Sequence, residues 1–129
     1  DLKKNIITRL EPLLQACYSY RFNEEQKTME LIIREEETSI ATRIVIRLCF
    51  LDEENQIQIP NISIPNAWRG KRVGMTLIND IFSVCEQYGY CLFITDMVES
   101  FYNYMLSVGA HPTDLDTVEI LPDTRLTKT

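Results

Sequence analysis

The stretch Ile62-Ser63-Ile64-Pro65-Asn66-Ala67-Trp68-Arg69-Gly70-Lys71-Arg72-Val73-Gly74-Met75 decides how the rest of the chain is read. Ile62 to Ile64 closes an alternating apolar run of the kind that forms a strand, and Pro65 ends it. From Val73 onward, Leu77, Ile78, Ile81, Phe82, Cys85 and Tyr88 recur at helical spacing, up to Gly89 as the stop. Between strand and helix stand three cations, Arg69, Lys71 and Arg72, with Gly70 and Gly74. Free N–H groups, the positive end of a helix dipole, glycines that admit a ligand and cationic side chains together make an anion site. Cations at a helix N-terminus oppose the dipole unless an anion sits among them, so the segment predicts a phosphorylated ligand. The plainer alternative is a Gly70 turn with a solvated basic face. There is no G-x-x-x-x-G-K-[ST] and no G-x-G-x-x-G, which sets aside the P-loop and the dinucleotide fingerprint.

Working back from this stretch, Gln56, Ile57, Gln58 and Ile59 alternate and run through Pro60 toward Ile64. Neither Pro60 nor Pro65 can donate a ladder hydrogen bond, so the strand must bulge, splay or lie at an edge, which leaves a gap in the sheet. Thr28 to Arg34 and Ala41 to Leu51 are rich in Ile, Val and Leu with charges on alternate positions, and the polar turn Asp52-Glu53-Glu54-Asn55 joins them to the third strand of a meander. Leu2, Ile6, Leu10, Leu13, Leu14 and Cys17 have helical spacing, and Pro12 suits the first turn of a new helix, so two short helices or one kinked one open the chain.

Working forward, Tyr90 to Thr95 reads as a short buried strand. Glu99 to Val108 reads as a helix with Phe101, Tyr104, Met105 and Val108 on one face, closed by Gly109. Thr117 to Leu121 is a last strand, and as an edge it could pair with a second copy to make a homodimer. The expected fold is α+β: one domain over residues 1–129, a mixed sheet with helices on both faces and a ligand site where strands part.

The central segment resembles the acyl-CoA motif of the GNAT superfamily of N-acetyltransferases, [QR]-x-x-G-x-[GA]. Here it reads Arg69, Gly70, Lys71, Arg72, Val73, Gly74, after an apolar strand ending in Pro65, with Arg72 where the family usually has its first glycine. The order of meander, long helix, strand and helix extends the resemblance over about residues 29–121. The family fold begins with a strand before its first helices. No such strand is read here, and Asp1 in place of an initiator Met implies processing or trimming.

The resemblance implies a mostly antiparallel sheet splayed at the acyl-CoA site. Ile62, Ser63 and Ile64 would hold the thioester by backbone contacts, and Arg69, Gly70, Lys71, Arg72, Val73, Gly74 and Met75 would hold the cofactor. Acetyl-CoA would be the cosubstrate, an amine the acceptor, and no metal is needed. A base must deprotonate the incoming ammonium and an acid must protonate the leaving thiolate. Many members use as acid a Tyr four residues before the closing glycine of the last helix. That position holds Met105, which leaves Tyr102 and Tyr104 as candidates, Tyr104 being also a plausible core residue of the Phe101 face. Asp96 and Glu99, at the end of the buried strand, are candidate bases, although Glu99 equally suits the dipole at a helix start. The alternative to a transferase is an acyl-CoA-binding sensor or interaction module, which Met105 and Arg72 keep open.

Composition narrows the rest. Thirteen basic against nineteen acidic residues give a net charge of −6, which argues against a general affinity for nucleic acid and is compatible with a cationic acceptor. No apolar run approaches a membrane span or a signal peptide, so the expected location is the cytoplasm. Cys17, Cys49, Cys85 and Cys91 sit in apolar segments without metal spacing and read as buried reduced thiols. His111 follows Gly109 in a predicted loop with no nucleophile to serve, and the 52–54 carboxylates read as a solvated turn.

Overall fold

Asp1 starts the first helix, α1 (Leu2–Leu10), by accepting the backbone N–H groups of Lys3 and Lys4. Such a cap is worth about 1 kcal/mol. Glu11–Leu14 continues as a 3₁₀ turn with Pro12 in its first positions, and Ile6, Leu10 and Leu14 are fully buried along one stripe. The computed structural model describes residues 1–38, 40–63 and 72–126.

Next come β1 (Ser19–Glu24), β2 (Thr28–Arg34), β3 (Arg43–Leu51) and β4 (Gln56–Ile62), each antiparallel to the one before. The helix α2 (Val73–Tyr88) follows and leads to β5 (Cys91–Ile94), which pairs parallel to β4. Then come α3 (Glu99–Ser107), β6 (His111–Asp114) and β7 (Thr117–Ile120). The sheet has seven strands in the order β1-β2-β3-β4-β5-β7-β6, with β4–β5 as its parallel pair. The fold is therefore α+β with a mixed sheet.

Pairing registers show which side of the sheet is apolar. Met29, Leu31, Ile46, Leu48, Phe50, Ile57, Ile59, Leu92, Ile94, Val118 and Ile120 occupy one face and are buried. Glu30, Cys49, Gln58, Phe93 and Glu119, on the other face, are half-buried, and Arg47 and Cys91 are exposed. The Lys3 ammonium lies 5.1 Å from the centre of the Phe50 ring, so α1 covers the apolar face, and α2 packs against α1. Met75, Leu77, Ile78, Ile81, Val84 and Cys85 of α2 join the same core, where truncating one large side chain costs about 2–5 kcal/mol. The strand contact of α3 is with β7.

Four expectations change. A strand, β1, lies in the 18–27 segment left unread, so four antiparallel strands precede α2. His111 is on a strand rather than in a loop. β7 lies between β5 and β6, so it is not an edge. The edge on that side is β6, whose Pro112 lacks a donor and whose four residues are all exposed, and the other edge is β1. Of the four cysteines Cys85 alone is buried; Cys17 and Cys49 are half-buried and Cys91 is exposed.

Candidate functional site

Pro60 bulges its strand. Arg47 pairs with Asn61 and Cys49 with Gln58, so two steps along β3 oppose three along β4, and the extra residue falls at Ile59–Pro60. The reason is local, because proline has no N–H for the ladder. On its other side β4 pairs with β5 only as far as Ile59 opposite Ile94, the last bond running from the Thr95 N–H to the Ile59 carbonyl at 3.0 Å. Beyond that point β4 follows β3 alone, ending with the Ser63 N–H on the Val45 carbonyl at 2.7 Å.

The chain leaving β5 turns away at Asp96, whose φ is 54°, and the Met97 N–H binds the Asp116 carbonyl in the β6–β7 turn. A cleft of about 120 Å³ opens where the two strands part, walled by Ile59, Pro60, Ile62, Ile94, Thr95, Asp96, Met97, Val98 and Phe101. The carboxyl ends of neighbouring parallel strands are the usual place for a ligand in such sheets.

The helix after β4 begins in an unusual way. Arg72, its N-cap, sits in the left-handed region with φ 58° and ψ 23° and makes no side-chain cap. The Thr76 N–H and Thr76 Oγ1 both donate to the Arg72 carbonyl, at 3.0 and 2.9 Å. Helix geometry leaves the N–H groups of Val73, Gly74 and Met75 without intrahelical acceptors, as at any helix start. One donor of the Arg72 guanidinium is engaged elsewhere, its Nη2 donating to the Leu126 carbonyl at 3.4 Å. Of the expected cofactor residues, Ile62, Ser63, Arg72, Val73, Gly74 and Met75 are placed as stated; Ile64, Arg69, Gly70 and Lys71 lie outside the described residues.

The proposed acids and base are less well gathered. Tyr104 is 41 % exposed, whereas Tyr102 is half-buried against the core, the reverse of the reading from helical spacing. Phe101, Met105 and Val108 pack inward as expected, joined by Tyr102 and Leu106, while Tyr104 turns outward, because the helix packs with β7 on one side and the cleft on another. Met105 is fully buried. Neither tyrosine is among the cleft walls, and Glu99 is exposed in the first turn of α3, outside the cleft. The carboxylate that does line the cleft is Asp96.

Other chemistry is weak. All four thiols have pKa values raised above the ordinary value, chiefly by desolvation, with Cys85 pushed up to about 12, so none is a poised thiolate. His111 is exposed opposite Glu119. Asp52 accepts from the Tyr90 hydroxyl at 2.8 Å, which makes it a hairpin tie. Among the described residues no group of three or more His, Cys, Asp or Glu could hold a metal ion, and no helix is long and apolar enough to cross a membrane.

The sequence reading missed the hydrophobic walls Met97, Val98 and Phe101 as cleft residues, and it missed the role of Leu126. The first could have been suspected from their position after a buried strand. The second leaves no sequence signal. No protein-family model, curated protein or solved structure matches the chain.

Proposed function

We infer that the chain binds the pyrophosphate of acetyl-CoA on the turn opening α2 and transfers the acetyl group to an amine, as GNAT enzymes do. The observation that carries this reading is the Arg72 backbone. In the motif this position is ordinarily glycine, and here an arginine holds the left-handed conformation that glycine adopts freely. A non-glycine residue accepts about 1 kcal/mol or more of strain there, which argues that the turn itself is needed. A cleft at the strand parting, with Pro60 bulged beside it, agrees with a β4 that leaves its neighbour.

Under this reading the N–H groups of Val73, Gly74 and Met75, together with Arg69, Gly70 and Lys71, hold the pyrophosphate. The end of β4 at Ile62 and Ser63 lies along the thioester arm. Bound acetyl-CoA supplies the activated acyl group. Asp96 is the cleft carboxylate suited to attract an ammonium and take its proton. The outer strand β1 follows the N-terminal helix, unlike the family's first strand, which precedes its helices.

The second reading, an acyl-CoA-binding module that transfers nothing, is favoured by Met105. The position that carries the acid in many members is a fully buried thioether, unable to donate a proton. Calorimetric titration with acetyl-CoA tests what the two readings share. Arg69→Ala with Lys71→Ala should weaken binding by about 1–3 kcal/mol per lost contact, and unchanged affinity would remove the claim. Thiol release with a panel of amines then separates transferase from sensor.

A further inference from the structure

The groove between α1 and α2 has a chemistry of its own. It encloses about 510 Å³, within the roughly 300–1,000 Å³ range of small-molecule sites. Its walls include Asn5, Arg9 and Leu13 from the first helical segment and Asp80, Val84 and Gln87 from α2, none of which lines the cleft at the strand parting.

Asp80 is the anomaly. Its side chain is only 18 % exposed, yet among the described residues its one partner is Arg9, with Nε 3.6 Å from Oδ1. At that separation the pair is a loose one, so the carboxylate, half-buried and lining the groove, can accept further donors. Burial raises the Asp80 pKa, with the Arg9 charge opposing it only in part. Arg9 is 45 % exposed and keeps donors for another anion.

We propose that this groove binds a free α-amino acid, its ammonium on Asp80 and its carboxylate on Arg9. Two opposite charges side by side disfavour a simple cation, which meets Arg9, and a simple anion, which meets Asp80. In an α-amino acid both charged groups hang from one carbon, about 3 Å apart, and so match the loose pair they would replace. Leu13 and Val84 offer an apolar wall to the side chain, and Gln87 an amide at one end. Asn5 is already engaged, donating to the Tyr88 hydroxyl.

The test is an NMR titration of ¹⁵N-labelled protein with L-leucine, leucinamide and 4-methylpentanoate, the last two lacking one charge each. L-leucine should shift amide signals in residues 5–13 and 80–87 at about 10 mM, and each half-analogue should bind about tenfold more weakly. Asp80→Asn and Arg9→Gln should abolish the shifts. No response to L-leucine, shifts confined to other residues, half-analogues that bind as well, or shifts that persist in folded Asp80→Asn would each overturn the proposal. The analogues need no variant, so the test stands even if a substitution prevents folding.

Discussion

The Arg72 guanidinium donates to the Leu126 carbonyl across 54 positions of chain, and so ties the start of α2 to the C-terminal segment. Leu126 is 3 % exposed. The residue before it, Arg125, bonds through its N–H to the Val108 carbonyl at 2.7 Å and through Nη2 to the Ser107 carbonyl at 2.8 Å. Thr124 Oγ1 accepts the Leu121 N–H at 3.0 Å and donates to the Gly109 carbonyl. One short strap therefore holds the end of α3 and the first turn of α2 in a common frame.

Arg72→Gly and Arg72→Ala both lose the bond to Leu126, but only Ala keeps the cost of a left-handed backbone. Urea unfolding should show Arg72→Ala to be less stable than Arg72→Gly by about 1 kcal/mol. Equal stabilities would mean that the turn relaxes out of the left-handed region. If the acyl-CoA reading holds, Arg72→Gly should still bind acetyl-CoA.

Gly74 is half-buried in the first turn of α2, and if the acyl-CoA reading holds its lack of a side chain lets the pyrophosphate approach. Gly74→Val should fold, since Val is no worse than Gly in a helix, and should bind acetyl-CoA at least about tenfold more weakly. A folded variant with normal affinity would show the motif to be misplaced on this chain.

The two α3 tyrosines can be separated by deleting only their hydroxyls. Tyr104→Phe alters an exposed ring and should leave stability within about 0.5 kcal/mol. Where an amine acceptor supports turnover, loss of the acting acid should lower the rate by about 10² to 10⁴ with cofactor affinity unchanged. Parent rates in both Tyr102→Phe and Tyr104→Phe would mean that the thiolate takes its proton from water or from the substrate ammonium.

For the Arg9–Asp80 pair the two single substitutions should be unequal. Arg9→Ala leaves Asp80 desolvated and alone and should cost about 1 kcal/mol, whereas Asp80→Asn leaves only a half-exposed arginine and should be neutral or stabilising at pH 7. The sign follows from the raised pKa: the folded state holds the Asp80 proton more tightly than the unfolded chain does. Relative to Asp80→Asn, the parent should therefore lose stability as pH rises from the ordinary carboxylate value through the raised one. Unfolding curves at several pH values check this, and an opposite trend would mean that Arg9 outweighs burial.

Local rules made much of this fold legible in the sequence. β2 spans the expected Thr28–Arg34, α2 stops at Gly89 in the left-handed conformation, and α3 closes at Gly109 with φ 97°. The Pro60 bulge followed from a missing N–H. In each case the cause lies within a few residues: side-chain period, a missing donor, or a backbone angle that only some residues hold cheaply. The sequence reading passed over β1, although Tyr20 and Phe22 alternate there and their rings meet edge to face at 6.1 Å.

Only the tertiary structure decided the remainder. β6 carries no apolar alternation and exists by pairing with β7. The face that α3 turns inward depends on what packs beside it, so helical spacing alone misassigned Tyr102 and Tyr104. Asp96 rather than Glu99 lines the cleft because the chain turns at Asp96. The Arg72–Leu126 bond and the Arg9–Asp80 pair join residues far apart in the chain, and such contacts leave no local period or spacing from which to read them.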